Sequence, residues 1–318
     1  MTRSVPLFCA VTLFMGACGS SDPGKPSGDG PSGADSAGDS DTGSDVCVPP
    51  EPFDVAGCLE IEEFDPNAAG RWPNVERRQF NENGREQSRD TRGGEEPNTE
   101  RICRTEWDGD RILSEQCSGV SIYRYEYVYS ADGFLESSSY DAASDGVLDK
   151  IWTYSTDAAG NVLEAAIDDD ADGVIDAVQT FAWDADGNQV EETWDYTYDG
   201  VVNFRREYIW TEGLLVQELE DSDGDGTNDV EIVYEYDELN RILRVERFEA
   251  GSTTAAETST WTYVGCALDT KVTFDAGGNR VTRSYWTDDL GRVVYEQEDF
   301  DTDGTPDRIW ATEWICPS

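Results

Sequence analysis

Acidic segments with one fixed spacing are the residues of this sequence that could do chemistry. Three of them fit the pattern D-x-D-x-D-G-x-x-D, and their acids are Asp168, Asp170, Asp172 and Asp176; Asp221, Asp223, Asp225 and Asp229; and Asp299, Asp301, Asp303 and Asp307. Calcium takes about six to eight oxygen ligands, and carboxylates at positions 1, 3 and 5 converge where the chain turns sharply at the glycine. The spacing therefore predicts three calcium sites.

Two further segments, residues 141–149 and 195–203, keep part of this pattern but lack the acid at position 3, where they have Ala143 and Thr197. The three full segments lack the carboxylate that an EF-hand loop has at position 12, where they have Gln179, Ile232 and Trp310. We therefore expect weak sites, with Kd of about 10⁻⁴ to 10⁻³ M, in which calcium stiffens the loops and takes no part in catalysis. The alternative is that Asp-Gly simply forms good turns and that the acids keep the loops soluble.

Composition excludes several classes of function. The 318 residues include 68 Asp and Glu against 23 Lys and Arg, a formal net charge of −45, so nucleic acid is not an expected partner. The chain has no histidine, which excludes Ser-His-Asp and Cys-His catalysis and His-ligated zinc. Paired carboxylates could still hydrolyse glycosides, but the sequence singles out no such pair, and we expect no enzyme.

An aromatic repeat positions the acidic segments. Seven aromatic residues recur at intervals of 25 to 27 residues: Tyr127, Tyr154, Phe181, Tyr208, Tyr234, Trp261 and Trp286. Most have a second aromatic two residues later, on the same face of a strand. Gly and Asn recur in phase at the turns, so each unit of about 27 residues reads as strand, tight turn, strand and acidic loop. We predict an all-β fold of tandem antiparallel hairpins that form a long coiled or barrel-like sheet, with the aromatic stripe as its core.

The sequence divides into four regions. Residues 1–17 have the basic start and short apolar run of a signal peptide. Residues 18–46 are almost wholly Gly, Ser, Asp and Pro, which predicts a disordered tether. Frequent prolines in residues 47–100 suggest an irregular N-terminal cap, and residues 101–318 form the hairpin domain.

Met15-Gly16-Ala17-Cys18 resembles the lipobox of bacterial lipoproteins. The resemblance implies that Cys18 carries a lipid and that the exported protein is anchored to the outer membrane, periplasmic or surface-exposed, and touches the membrane through the lipid only. Ordinary signal cleavage near Ala17 is the alternative.

Six further cysteines are disulfide candidates: Cys47, Cys58, Cys103, Cys117, Cys266 and Cys316. Cys103 and Cys117 lie symmetrically about the turn at Asp110, so they would face each other across a hairpin. Cys47–Cys58 is then a plausible local pair. Cys266–Cys316 follows by elimination, and it would require the sheet to coil.

The segment from Tyr234 to Leu243, YEYDELNRIL, resembles the YD repeat of the RHS family. That resemblance implies a coiled β-sheet with a role in surface contact or carbohydrate association. The acidic loops resemble the first half of an EF-hand loop and the loops of thrombospondin type-3 repeats. We therefore expect a lipid-anchored structural or adhesive protein with calcium-stiffened loops, whose partner is a carbohydrate or a cell-surface protein. Carbohydrate binding by an exposed aromatic stripe is the alternative, and a carboxylate-dependent glycoside hydrolase is a third.

Overall fold

A computed structural model describes residues 55–65, 74–93, 100–288 and 292–317. The predicted signal peptide, the tether, Cys18 and Cys47 lie outside these residues. Twenty strands make up the described part: β1 Leu59–Asp65, β2 Asn74–Phe80, β3 Glu86–Arg92, β4 Arg101–Asp108, β5 Arg111–Gly119, β6 Tyr123–Tyr129, β7 Leu135–Asp141, β8 Lys150–Thr156, β9 Val162–Asp168, β10 Ala177–Trp183, β11 Gln189–Asp195, β12 Phe204–Thr211, β13 Leu214–Asp221, β14 Val230–Tyr236, β15 Ile242–Glu249, β16 Glu257–Val264, β17 Ala267–Asp275, β18 Arg280–Thr287, β19 Val293–Asp299 and β20 Arg308–Ile315.

The strands form one closed antiparallel barrel. Each strand pairs with its neighbours in sequence, and β1 also pairs with β20, from Leu59 opposite Ile315 to Asp65 opposite Ile309. Twenty strands at a spacing of ~4.8 Å have a circumference of about 96 Å, so they enclose a ring roughly 30 Å across before any tilt. The predicted all-β fold is confirmed. Within the described ranges, no helix has the length and apolar character needed to cross a membrane.

Three of the strands fall in the region that we expected to be an irregular cap. β1, β2 and β3 lie within residues 47–100, and β1 forms the seam with β20. The described part of this region is therefore regular sheet and continuous with the barrel. Most of its luminal residues are charged and ion-paired, as in the Arg78–Glu60 pair at 3.0 Å, and the aromatics Phe64 and Phe80 are too few to show the period.

Side chains alternate between a luminal and an outer face. The luminal face is the buried one: Ala165, Ile167, Ala177 and Val230 lie on it and are at most 7% exposed. The outer face carries ion pairs such as Arg205 Nε to Glu191 Oε2, at 2.9 Å. The outer face thus combines ion pairs with exposed apolar side chains such as Val128 and Ile209, and the buried apolar residues lie on the luminal face.

A β-bulge stands beside the tight turn of each of the nine hairpins that join an even-numbered strand to the next one. In the β14–β15 hairpin, Glu235 faces Arg244 and Tyr236 faces Ile242, so Leu243 is the extra residue. The turn itself is built by Asp237, whose Oδ1 accepts hydrogen bonds from the N–H groups of Leu239 and Arg241, while Asn240 adopts φ 61°. A bulge bends and twists the strand that contains it, so nine in phase favour closure of the sheet.

The aromatic stripe faces the lumen with one exception. Trp286 lies on the outer face and is 44% exposed, because the last interval in the sequence is shorter than the others. Tyr285 takes the luminal place, opposite Glu296. The assignment of Trp286 to the stripe was therefore wrong.

An aromatic residue near the tight turn fastens each of five hairpins to the preceding one. Tyr236 Oη donates a hydrogen bond to the carbonyl of Leu215, 21 residues earlier, at 2.8 Å. The same bond, over the same 21 residues, is made by Trp107 to Glu86, Trp183 to Val162, Trp210 to Gln189 and Tyr263 to Ile242. We call these five side chains the latch aromatics. They stabilise the contact between hairpins at the end of the barrel that holds the tight turns.

Disulfides link both near and distant parts of the chain. Cys103 and Cys117 are bonded across the β4–β5 hairpin with Cα atoms 4.0 Å apart, as the symmetry about Asp110 predicted. Cys58 pairs with Cys316, which corrects both the Cys47–Cys58 and the Cys266–Cys316 assignments. The reason is barrel closure, which brings the first and last strands together. Cys266 is also disulfide-bonded.

Candidate functional site

The acidic loops all lie at one end of the barrel. Because successive strands alternate in direction, every loop from an odd-numbered to an even-numbered strand emerges at the same end. We call this end the acidic rim and define it by the loops 141–149, 168–176, 195–203, 221–229 and 299–307. The described chain enters β1 and leaves β20 at the opposite end, where the N–H of Gly57 bonds to the carbonyl of Asn81 in the β2–β3 turn at 2.8 Å.

The five loops share one conformation. In the loop 168–176, Asp168 accepts hydrogen bonds from the N–H groups of Asp172 and Gly173, at 3.1 and 2.8 Å. Asp172 accepts one from the N–H of Val174, and Asp176 accepts one from that of Asp169. Equivalent bonds recur in the other four loops. Position 4 of each loop has φ between 50° and 72° and the glycine at position 6 has φ between 84° and 92°.

These bonds hold loop carboxylates in their ionised form. In Asp141 and Asp195, desolvation acts to raise the pKa, but backbone N–H donors such as those of Gly146 and Gly200 outweigh it, and the pKa is lowered. The pKa of Asp229 is lowered by the hydroxyl of Ser222 and then by its backbone N–H. Carboxylate oxygens gathered at one rim are the type of ligand that hard cations prefer.

The structure brings most, but not all, of the predicted ligands together. One oxygen from each member of a triad lies within 4.8 Å of the others in Asp168–Asp170–Asp176, Asp221–Asp223–Asp225 and Asp299–Asp301–Asp303. Two oxygens that bind one calcium ion at about 2.4 Å lie at most that far apart, so the donor type and spacing fit the ion. Asp172, Asp229 and Asp307 are not in these triads, and each accepts a backbone N–H within its own loop.

The loops fold in the same way without a full set of acids. Loops 141–149 and 195–203 keep the hydrogen bonds to Asp141 and Asp195, although Ala143 and Thr197 replace the acid at position 3. The conformation therefore depends on the first aspartate, the glycine and the backbone. A cation would add to a loop that is already formed.

The lumen contains a polar network that the sequence analysis did not anticipate. Arg206 lies between Glu218 and Glu220, and its Nη2 is 2.6 Å from Glu220 Oε2. Tyr208 Oη donates to Glu192 at 3.1 Å, and Tyr234 donates to Glu218. Burial, and then the charge of Glu192, raise the pKa of Tyr208 to about 12. The sequence signal for this network is charge in phase with the aromatic stripe, since Arg206 stands two residues before Tyr208 and shares its face.

A cavity of about 210 Å³ lies near the seam, lined by Glu60, Glu62, Glu296, Trp310 and Thr312 among others. Burial raises the pKa of both Glu62 and Glu296, against the opposing effects of Arg78 and Arg283 respectively. Two half-buried carboxylates beside a tryptophan offer hydrogen-bond acceptors and a stacking surface. This arrangement could bind a polar ligand such as a sugar.

Comparison with known proteins finds no matching family model and no matching curated protein. Among solved structures, the chain is similar to TcdB2-TccC3-TEV (14% identity, TM-score 0.41) and to a Photorhabdus luminescens Tc holotoxin pore (15%, 0.41). In both cases 74% of this chain is covered, but it spans only 14% of the toxin chain. It is also similar to a porin-like protein from Bacteroides uniformis (12%, 0.32), over 83% of this chain and 99% of that one. The present chain is an all-β repeat barrel.

Proposed function

We propose that this protein is a lipid-anchored scaffold of the outer membrane, periplasmic or surface-exposed, with a structural or adhesive role and a calcium-stiffened acidic rim. One observation carries the proposal: five loops of one conformation form a single rim, at the end of the barrel opposite to where the chain enters β1. A lipid on Cys18 and a tether over residues 18–46 would attach to the other end. The acidic rim would then be free to meet a partner.

Calcium fits this role because it would act on the rim without altering the barrel. The loop conformation is set by backbone hydrogen bonds, and the triads Asp221–Asp223–Asp225 and its two counterparts offer oxygen ligands at the required spacing. An ion would replace repulsion among these carboxylates by attraction. Neighbouring loops would then move less relative to one another.

The construction of the molecule supports a scaffold. The latch aromatics, the bulges and the disulfides Cys58–Cys316 and Cys103–Cys117 all serve to close the ring. The charged outer face, with pairs such as Arg205–Glu191, suits contact with water on all sides of the barrel.

Carbohydrate binding inside the ring is a second candidate. It is favoured by one observation: the luminal aromatics, among them Tyr154 and Trp261, are half-buried instead of sealed in a dry core. At Trp310, with Glu62 and Glu296 beside it, aromatic and acceptor groups share a luminal cavity. A sugar ring would stack on the indole and donate its hydroxyls to the carboxylates. The same pair is what a glycoside hydrolase would use.

The scaffold proposal is tested on the exported chain in a bacterial host. Labelled palmitate should be incorporated by the natural sequence and not by Cys18→Ser, which should leave the outer-membrane fraction. Isothermal titration of the purified barrel with calcium should give heat that saturates in the millimolar range. The lipid-anchor part fails if palmitate is absent from the natural sequence. The calcium part fails if millimolar calcium gives no heat.

A further inference from the structure

An apolar and aromatic patch interrupts the acidic rim. Val147, Val174, Tyr196, Tyr198 and Val201 are each between 53% and 66% exposed. We call these five residues the rim patch. They belong to three consecutive loops, 141–149, 168–176 and 195–203, which emerge side by side because β7 to β12 are adjacent strands. The three loops thus form one continuous surface.

The three valines of the rim patch occupy equivalent loop positions. Val147, Val174 and Val201 stand at position 7, where loops 221–229 and 299–307 have Thr227 and Thr305. A polar residue is therefore compatible with this position. The valines are not needed to form the loop, and their exposure needs another explanation.

Tyr198 is the most unusual member. It stands at position 4 with φ 52°, a left-handed conformation that costs free energy for a bulky residue. The equivalent residues are small: Ser144, Ala171, Gly224 and Thr302. Strained residues cluster at functional sites, so an exposed tyrosine in this conformation points to contact with a partner.

The charge around the rim patch identifies the kind of partner. The loop 195–203 has lost the acids at positions 3 and 9, but the full acidic loops 168–176 and 221–229 flank it on both sides. The second of these touches it, because a Cβ on Gly224 would lie 2.2 Å from the carbonyl oxygen of Val202. Lys150 forms an ion pair with Asp169. The rim patch is thus an apolar surface with carboxylates among and beside its residues.

We propose that the rim patch binds a basic, Arg- or Lys-rich segment of a partner protein. The cationic heads would meet the flanking carboxylates, the methylene stems would cover the valines, and a guanidinium would stack on Tyr198 or Tyr196. Tyrosine is enriched in protein interfaces because it presents a rigid ring and a polar tip. This inference rests on the adhesive role proposed above and names its partner class. It does not require calcium.

The probe is a short fluorescent peptide of Arg, Leu and Gly, with a Glu, Leu and Gly peptide as its counterpart, and the readout is fluorescence anisotropy with the full barrel. The Arg peptide should bind, and the affinity should fall when salt rises from about 50 to 300 mM, because the Debye length shortens. The Glu peptide should not bind. The proposal is overturned if the Arg peptide gives no signal up to about 1 mM, or if both peptides bind equally.

Two kinds of variant locate the binding. Tyr198→Gly should weaken the Arg peptide by about tenfold, since Gly224 shows that the loop accepts glycine at this position. Thr302→Gly makes the same backbone change in the loop 299–307 and should leave affinity within about twofold. Should Tyr198→Gly unfold the loop, Val174→Thr with Val201→Thr provides the second test, because sibling loops carry threonine there. Equal effects of Tyr198→Gly and Thr302→Gly would overturn the proposal, as would binding of a neutral oligosaccharide that Tyr198→Gly abolishes.

The outcomes separate this inference from the calcium proposal. If the barrel binds the Arg peptide but gives no heat with calcium, the rim patch proposal is supported and the calcium proposal is rejected. If the barrel binds calcium but not the Arg peptide, the rim patch proposal is overturned and the proposal of a calcium-stiffened scaffold stands.

Discussion

Cys58 and Cys316 are joined by a disulfide at the seam of the barrel, although 258 residues separate them in sequence. The bond lies at the end of β1–β20 pairing, next to the pair Leu59 and Ile315. A closed sheet has no free strand edge on which another chain could add. This disulfide therefore secures the contact on which closure depends.

Removing the seam disulfide should cost more stability than removing the local one. Cys58→Ala with Cys316→Ala releases a loop of 258 residues, and chain entropy predicts a loss of roughly 5 kcal/mol. Cys103→Ala with Cys117→Ala releases a loop of 14 residues, for which roughly 3 kcal/mol is expected. Urea unfolding of both double variants measures the difference. An equal loss in the two would mean that the seam is held by strand pairing alone.

Each latch aromatic should contribute measurably to the free energy of unfolding. Tyr236→Phe removes the bond to the carbonyl of Leu215 and keeps the ring, so the free energy of unfolding should fall by about 1 kcal/mol. Tyr140→Phe is the matched control, because Tyr140 contacts Tyr125 through its ring. Its effect should stay within about 0.5 kcal/mol. Comparable losses of unfolding free energy in the two variants would show that the hydrogen bond of the latch aromatic does not stabilise the barrel.

High pH should weaken the barrel through its buried tyrosines. Burial and then Glu115 raise the pKa of Tyr123 to about 12, and burial and then Glu192 do the same for Tyr208, from an ordinary value of 10.0. A raised pKa means that the neutral form is favoured by folding. The stability it contributes is complete below pH 10 and is lost as pH rises through about 12.

The measurement is the urea midpoint between pH 9 and 12, followed with tyrosinate absorbance. Tyr208→Phe should reduce the alkaline loss by about 1 kcal/mol, once solvent screening of this partly exposed group is allowed for. A variant with an unchanged alkaline slope would show that Tyr208 does not carry the effect.

A degraded loop should gain a calcium site when its pattern is restored. Thr197→Asp with Asn203→Asp completes D-x-D-x-D-G-x-x-D on a loop that already has the common conformation. Titration should then show one additional equivalent of calcium. Asp223→Asn with Asp225→Asn should remove one equivalent from the natural set.

The free energy of unfolding should rise with the number of calcium sites. At 10 mM calcium, sites with Kd of about 10⁻³ to 10⁻⁴ M would each add about 1.4 to 2.7 kcal/mol. Thermal unfolding with calcium and with chelator checks this. A restored loop that neither binds the ion nor gains stability would assign the acids to turn formation and solubility.

The sequence sufficed for the parts of this fold that repeat locally. The hairpin period, the turn residues and the five acidic loops are each visible within a few residues of the chain, and the structure has them where they were expected. Trp286 was misplaced because it stands one residue beyond the luminal position, which Tyr285 occupies, and a one-residue offset puts a strand residue on the other face.

The remaining differences concern distant or charged contacts. β1 to β3 were assigned to an irregular cap because Arg78, Glu60 and Glu76 fill luminal places with ion pairs, and the aromatics Phe64 and Phe80 are too few to set a period. The pairing of Cys58 with Cys316 depends on closure, a property of the whole ring, so counting cysteines by elimination could not find it. The luminal network around Arg206 was hidden for the same reason as β1 to β3.

The bond from each latch aromatic reaches back to the hairpin before it, and the Cα atoms of each described strand lie within 8 Å only of those of its two adjacent strands. The circumference of such a ring is therefore set by the number of hairpins in the chain and not by contacts across its lumen. One more copy of the 27-residue unit would widen the circumference by two strands, roughly 10 Å, while leaving the seam as it is. Duplication of one repeat within the gene would be enough to change the diameter of the barrel without altering the type of any contact.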